Sequence, residues 1–176
     1  GVGRICRTLK GSAENACAYT HASMFGVLAL YLVGDSEYAW KQLEKTLVIV
    51  QKEPSKSPFV MSNSYCENPE EGMNGHSAID WYTGTGTVMM KNFVRAVFGI
   101  EPCLEGLLIK TPSYMPCNNA KIRFLVKGKS VKLIYRNENN GKRQIFVNGK
   151  TALKFYNKYI KDTLGREAVC LPSTSP

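Results

Sequence analysis

Residues 81–90 read WYTGTGTVMM, two glycines alternating with three threonines ahead of a helix-patterned segment. Glycine and threonine are both weak helix formers in a helix interior. At a helix entrance they have two uses. They can form a flexible turn capped by hydroxyls, or their bare backbone N–H groups and small hydroxyls can form an anion site. The same stretch lies near a change in the chain's character: the pattern upstream of it is helical, and beyond about Gly106 the apolar period falls to two.

Working upstream, residues 22–33 (ASMFGVLALYLV) are apolar on every side, the pattern of a helix buried all round inside a larger assembly. Gly34 supplies a helix C-cap and Asp35 a fresh N-cap, so the chain turns at once into a second helix. That helix places Trp40, Leu43, Leu47 and Val50 on one face and Lys41, Glu44 and Lys45 on the other, completing an αα-hairpin. Residues 51–80 read as loop, punctuated by Pro54, Pro58, Pro69, Gly72 and Gly75. The third helix carries an apolar stripe of Met89, Phe93 and Val97 with Met90, Val94 and Phe98, and ends at Gly99.

Downstream, KIRFLVK (121–127) and SVKLIYR (130–136) alternate around a turn at Gly128-Lys129, and RQIFV (143–147) lies between Asn140-Gly141 and Asn148-Gly149, strong hairpin signals. Lys and Arg project between Ile122, Phe124, Val126, Leu133 and Tyr135, which predicts an antiparallel sheet with one dry face, part of a β-sandwich. Residues 162–176 read as a terminal strand followed by a frayed tail. Helices followed by strands predict segregated domains, 1–101 and 102–176, and not alternating βαβ units.

The chain has 176 residues, 44% of them hydrophobic, enough for a substantial core. It begins Gly1-Val2-Gly3 without methionine, the start expected of a fragment or a processed chain. No stretch reaches the ~18 consecutive apolar residues of a membrane helix, and the N-terminus lacks a signal-peptide pattern. Six scattered cysteines without a C-x-x-C pair exclude zinc spacing, and in a chain of this length they read as reduced cytosolic thiols. The net charge of +9 is uneven. Residues 121–161 hold 12 of the 23 basic residues and one of the 14 acids, Glu138, leaving 11 basic and 13 acidic residues elsewhere. Such a basic segment could bind a polyanion. No nucleic-acid motif accompanies it, and lysine on a wet sheet face also discourages edge pairing, which is the reading taken here.

AENACAYTHAS (13–23), followed by the apolar helix and GDSEYAW (34–40), resembles the E-N-G-G-x-Y-x-H-A segment of the cellobiose and chitobiose phosphorylases, glycoside hydrolase family ninety-four. SPFVMSNSYCENPEEG (57–72) is similar to that family's P-Y-V-x-x-x-x-Y-x-x-x-P loop. WYTGTGTVMM and AVFGI (96–100) match W-Y-T-G-[ST]-A-G-W-M and I-L-G-[IV], in the same order. EGLLIKTPSYMP (105–116) resembles the G-L-x-I-x-P-x-x-P link into a β-domain. The similarity runs from residue 4 to about 150, with one departure: Gly86-Thr87-Val88 replaces A-G-W, which puts the sugar specificity in question while sparing the phosphate donors.

The resemblance implies the last helices of an (α/α)₆ barrel followed by a jelly-roll-like antiparallel β-sandwich. It implies an inverting phosphorylase, in which an aspartic acid protonates the glycosidic oxygen while inorganic phosphate attacks the anomeric carbon, so that one carboxyl group suffices. That acid lies upstream of the matched region in the family, so no catalytic residue is expected here. The family's phosphate contacts fall on His21, Thr83 and Gly84, and a glycine N–H, a threonine hydroxyl and an imidazole suit an anion at a positive helix end. Tyr65 and Trp81 are candidate sugar contacts; Glu14 and Asn15 match the family's E-N and would shape the entrance. Asp80 reads as a capping residue or solvated charge and His76 as an exposed loop residue. The resemblance further implies no cofactor beyond phosphate as co-substrate, no metal, an oligosaccharide substrate, the rest of the barrel as a partner, a homodimer at full length, a cytoplasmic location, and neither nucleic acid nor membrane as a partner. The alternatives are a non-catalytic carbohydrate- or polyanion-binding protein and a hydrolase of the same barrel type.

Overall fold

The computed structural model describes residues 3–47, 60–79, 81–104, 106–110, 114–137, 146–147, 150–151, 159–161 and 167–172. They fall into two compact units divided between Asn92 and Phe93. The order is helices first and antiparallel strands afterwards. Val50, Asp80 and the Asn140-Gly141 step lie outside the described residues.

In the first unit a 3₁₀ turn, Gly3–Arg7, leads into a folded-back segment. Arg4 pairs with Glu14, and the Asn15 amide donates to Thr8 O at 3.1 Å. Backbone hydrogen bonding, with Arg4 second, holds the Glu14 carboxyl below its ordinary range. Gly11, at φ +75°, packs on the backbone of Glu67, where a side chain would collide with the Glu67 carbonyl.

Helix α1 spans Thr20–Val33 and buries Thr20, Met24, Val27 and Tyr31, one stripe at spacings of four, three and four. Phe25, Leu32 and Val33 are 56–70% exposed, so this chain covers one face of a helix whose sequence is apolar all round. Gly34 takes the left-handed conformation at φ 95°, and the amides of Gly34 and Asp35 close the helix on Tyr31 O and Leu30 O, as the glycine predicts.

Helix α2, Ser36–Lys45, follows at once, but the Asp35 side chain makes no capping bond. The contact face is also turned from the expected one. Ser36, Ala39 and Leu43 are buried, while Trp40 and Leu47 are only half-buried. The buried face is thus lined by the small residues Ser36 and Ala39 together with Leu43.

The segment read as loop contains a short antiparallel pair, β1 (Ser64–Tyr65) with β2 (Ser77–Ala78). Tyr65 also bridges to Ala18 through both backbone bonds, at 2.9 and 3.0 Å. Helix α3, Thr85–Asn92, buries Thr85, Val88 and Asn92 in place of the expected Met89-centred stripe, and Met90 is 57% exposed. The Asn92 amide donates to Met24 O at 2.8 Å, joining α3 to α1 through a fully buried polar side chain.

The second unit opens with a π turn, Phe93–Val97, marked by the Phe98 N–H to Phe93 O bond at 2.9 Å. Its extra residue per turn shifts the 3.6-residue stripe, and of the expected positions in this turn only Val97 is fully buried. Strands β3 (Ile100–Cys103) and β4 (Gly106–Lys110) begin a four-stranded antiparallel sheet with β9 (Tyr159–Lys161) and β10 (Glu167–Pro172), in the order β3-β4-β10-β9. Ile100 and Ile109 pair and are buried. The terminal strand expected after residue 162 is thus β10.

Strands β5 (Asn119–Val126) and β6 (Lys129–Arg136) pair over their full length. Ile122 opposes Leu133 and Phe124 opposes Val131 on the drier face, with Lys121, Arg123, Lys132 and Arg136 exposed, as the alternation predicts. The turn is centred on Lys127 and Gly128, at φ 48° and 78°, and not on Gly128-Lys129. A two-residue I′ turn requires positive φ at both central positions, and the Val126–Lys129 pair fixes those positions. Phe146–Val147 (β7) pairs with Lys150–Thr151 (β8) on either side of Asn148-Gly149. Among the described residues, no helix is long and apolar enough to cross a membrane.

Candidate anion site at the entrance to α3

Gly84 begins α3: its carbonyl accepts from Val88 N–H at 2.9 Å, making it the N-cap residue. Thr83 is therefore one position outside the helix. Its hydroxyl oxygen accepts from the Thr85 N–H at 3.1 Å, a local turn that satisfies the first helical amide. The Gly84 N–H has no hydrogen-bond partner among the described residues, and it stands at the positive end of α3.

His21 reaches the same place from the first turn of α1. A Cβ built on Gly84 would lie 2.7 Å from His21 Nε2 and 3.0 Å from Cε1. The imidazole therefore packs directly on Gly84, closer than any side chain at position 84 would allow. The ring rests between Tyr19, edge-on at 6.2 Å, and Phe25, tilted at 5.8 Å.

Two residues that sequence reasoning passed over tie this cluster together. Asn63 accepts the His21 backbone N–H at 3.2 Å through its carbonyl, and its side-chain amide donates to Thr83 Oγ1 at 3.2 Å. Thr85, fully buried, donates its hydroxyl to Ser62 O at 3.0 Å and lies 2.7 Å from Thr83 Oγ1. The available signal was the run of small polar residues Ser62-Asn63-Ser64, at 1%, 8% and 1% exposure. In a segment rich in proline and glycine it read as solvated loop.

His21, Thr83 and Gly84 thus converge, with Asn63 linking them. Tyr65 is in β1 and not in a loop, and it is half-buried. Trp81 is 76% exposed, two residues before the cluster, and is no part of a core in this chain. Glu14 and Asn15 bond within the N-terminal segment, to Arg4 and Thr8. His76 is exposed, as expected. No group of three or more metal-type ligands occurs among the described residues. Chemically, the cluster offers hydrogen-bond donors to an anion, and none of its described members is a carboxylate.

No model of a known protein family matches the chain. It is 24% identical over 156 residues to a solabiose phosphorylase of Paenibacillus borealis, covering 85% of this chain and 20% of that protein. It is 31% identical over 116 residues to a 3-O-beta-D-glucopyranosyl-beta-D-glucuronide phosphorylase of the same organism, covering 61% and 14%. A cellobionic acid phosphorylase of Neurospora crassa is 27% identical over 147 residues, covering 78% and 18%. The chain thus spans a fifth or less of the length of the curated relatives it matches. Similarity to three glycoside phosphorylases agrees with the resemblance that the motifs around His21 and Thr83-Gly84 carry to the cellobiose and chitobiose phosphorylases, glycoside hydrolase family ninety-four.

Proposed function

We propose that this chain carries the phosphate-binding part of an inverting glycoside phosphorylase. In that reaction a phosphate oxygen attacks the anomeric carbon of a β-glucoside, the bond to the glycosidic oxygen breaks, and a carboxylic acid protonates the leaving oxygen. The products are α-glucose 1-phosphate and a shortened sugar. The observation that supports the reading is the close approach of His21 to Gly84 at a helix N-terminus, its Nε2 only 2.7 Å from where a Cβ on that glycine would lie. Phosphate placed there would accept from the Gly84 N–H, from His21 Nε2–H and from the second N–H of the Asn63 amide. Oriented donors of this kind hold the nucleophile for attack without needing to activate it, since phosphate is already anionic.

The general acid belongs to sequence outside these residues, and this chain alone is proposed to be inert. The helical part, residues 1–101, would then be barrel wall, and residues 102–176 a β-sandwich domain. The exposed Phe25, Leu32 and Val33 of α1 are consistent with burial against further barrel helices. Trp81, exposed beside the site, and Tyr65 would contact sugar. The relatives act on different disaccharides, so the acceptor is not specified by the likeness.

The test is phosphate dependence of the full-length enzyme bearing this chain. Cleavage of β-linked glucosides should require phosphate and yield glucose 1-phosphate, and His21→Ala should raise KM for phosphate. Equal cleavage in phosphate-free buffer would assign the protein to hydrolysis instead.

A further inference from the structure

The hydrogen bonds around Thr83 determine where its one hydroxyl proton goes. Thr85 also has one hydroxyl proton, and it is donated to the Ser62 carbonyl at 3.0 Å, in a fully buried position. The 2.7 Å contact between the two threonine oxygens therefore has Thr83 as donor and Thr85 as acceptor. The Thr83 oxygen meanwhile accepts from the Thr85 N–H at 3.1 Å and from the Asn63 amide at 3.2 Å. One donor and two lone pairs are the whole capacity of a hydroxyl. Thr83 is saturated by its neighbours and has no proton free for a ligand.

We propose that Thr85 is a positioning residue that sets phosphate affinity by holding the Thr83 proton in reserve. An anion seated beside Gly84 and His21 gains the Thr83 hydroxyl only when that proton turns away from Thr85. Binding then exchanges a neutral O–H···O bond for a charge-assisted one, and the free energy of the released bond is subtracted from the affinity. Thr85 itself touches no ligand. Its acceptor lone pair competes with phosphate for Thr83, and its bond to Ser62 keeps that lone pair aimed. The proposal rests on the phosphate reading of the Gly84–His21 pair.

The experiment is steady-state phosphorolysis by the full-length enzyme, with the disaccharide saturating and inorganic phosphate varied. Thr85→Val keeps the β-branched shape and removes the competing acceptor, so KM for phosphate should fall by about three- to tenfold, the net worth of one hydrogen bond. KM for the disaccharide should stay within about twofold, a split that a general loss of packing would not produce. Thr85→Ser, which restores the hydroxyl, should restore the wild-type KM for phosphate. Thr83→Val should raise that KM, and adding Thr85→Val to it should give no further gain, because the contested proton is gone. If Thr85→Val does not fold by near-UV circular dichroism, Thr85→Ala carries the same expectation. An unchanged or raised KM in the Thr85 variants, while Thr83→Val and Gly84→Ala raise it, would overturn the proposal and leave the phosphate site standing. If Gly84→Ala and His21→Ala leave the KM for phosphate unmoved as well, the phosphate reading fails and the proposal with it.

Discussion

The Nε2 edge of His21 and the absent side chain of Gly84 occupy one volume, with only 2.7 Å between that nitrogen and a Cβ built on the glycine. Gly84 is thus required by space, since its backbone is not among those with positive φ. Gly84→Ala should push the imidazole out of line or fill the place proposed for the anion. Either outcome removes at least one charge-assisted bond, about 1.5–3 kcal/mol. That corresponds to a rise of more than tenfold in KM for phosphate, or an equal loss of phosphate affinity by titration calorimetry. Binding of sugar without phosphate should change far less.

Asn92 is fully buried in α3, donates to Met24 O at 2.8 Å, and leaves its own Oδ1 without a partner among the described residues. Asn92→Ala should cost about 2–3 kcal/mol, combining a cavity with the lost bond. Asn92→Leu, which fills the space and removes the orphan acceptor, should cost less. Urea denaturation of the two variants beside the parent tests the order.

The parts legible in the sequence are those whose cause is local. Gly34 ends α1 because only a residue without Cβ takes φ 95° cheaply, and the Lys–apolar alternation of β5 and β6 follows from a period of two. The Ser62-Asn63-Ser64 belt and Asn92 were not legible, because polar residues read as solvated until a tertiary partner buries them. The π turn at Phe93–Val97 defeats a 3.6-residue stripe for a related reason: one inserted residue rotates every position after it. At the candidate site, His21, Thr83 and Gly84 stood out by motif, while Asn63 and Thr85 lie in the same quoted stretches but show their organising role only through the tertiary hydrogen bonds they make.

Glu101 accepts from Lys110 Nζ at 2.7 Å and from Arg95, and these two cations, Lys110 foremost, hold its carboxyl below the ordinary glutamate range against partial burial. A depressed folded-state pKa means that the unfolded chain takes up a proton first as the pH falls. The contribution is present above the unfolded value near 4.5 and is lost as pH drops through the lower folded value. Glu101→Gln should therefore destabilise by on the order of 1 kcal/mol at pH 7 and much less at pH 3. Parallel thermal melts at the two pH values measure this.

Tyr135 offers the opposite sign. Its hydroxyl donates to Phe98 O, its ring packs on Phe98 at 5.8 Å, and burial raises the phenol above its ordinary pKa of 10.0. A raised pKa keeps the folded state protonated where the unfolded chain ionises. Its contribution is complete below pH 10 and declines as the pH climbs toward the folded value. Tyr135→Phe keeps the ring contact and deletes the hydroxyl, leaving the Phe98 carbonyl without this donor. At pH 8 it should cost about 1 kcal/mol, one net hydrogen bond. At pH 11 the parent pays for keeping a buried phenol neutral and the variant does not, so the difference between them should shrink. Urea denaturation of both proteins at pH 8 and pH 11 reads the change directly. A gap that stays constant would mean that the Tyr135 phenol ionises in the folded state as readily as in the unfolded one.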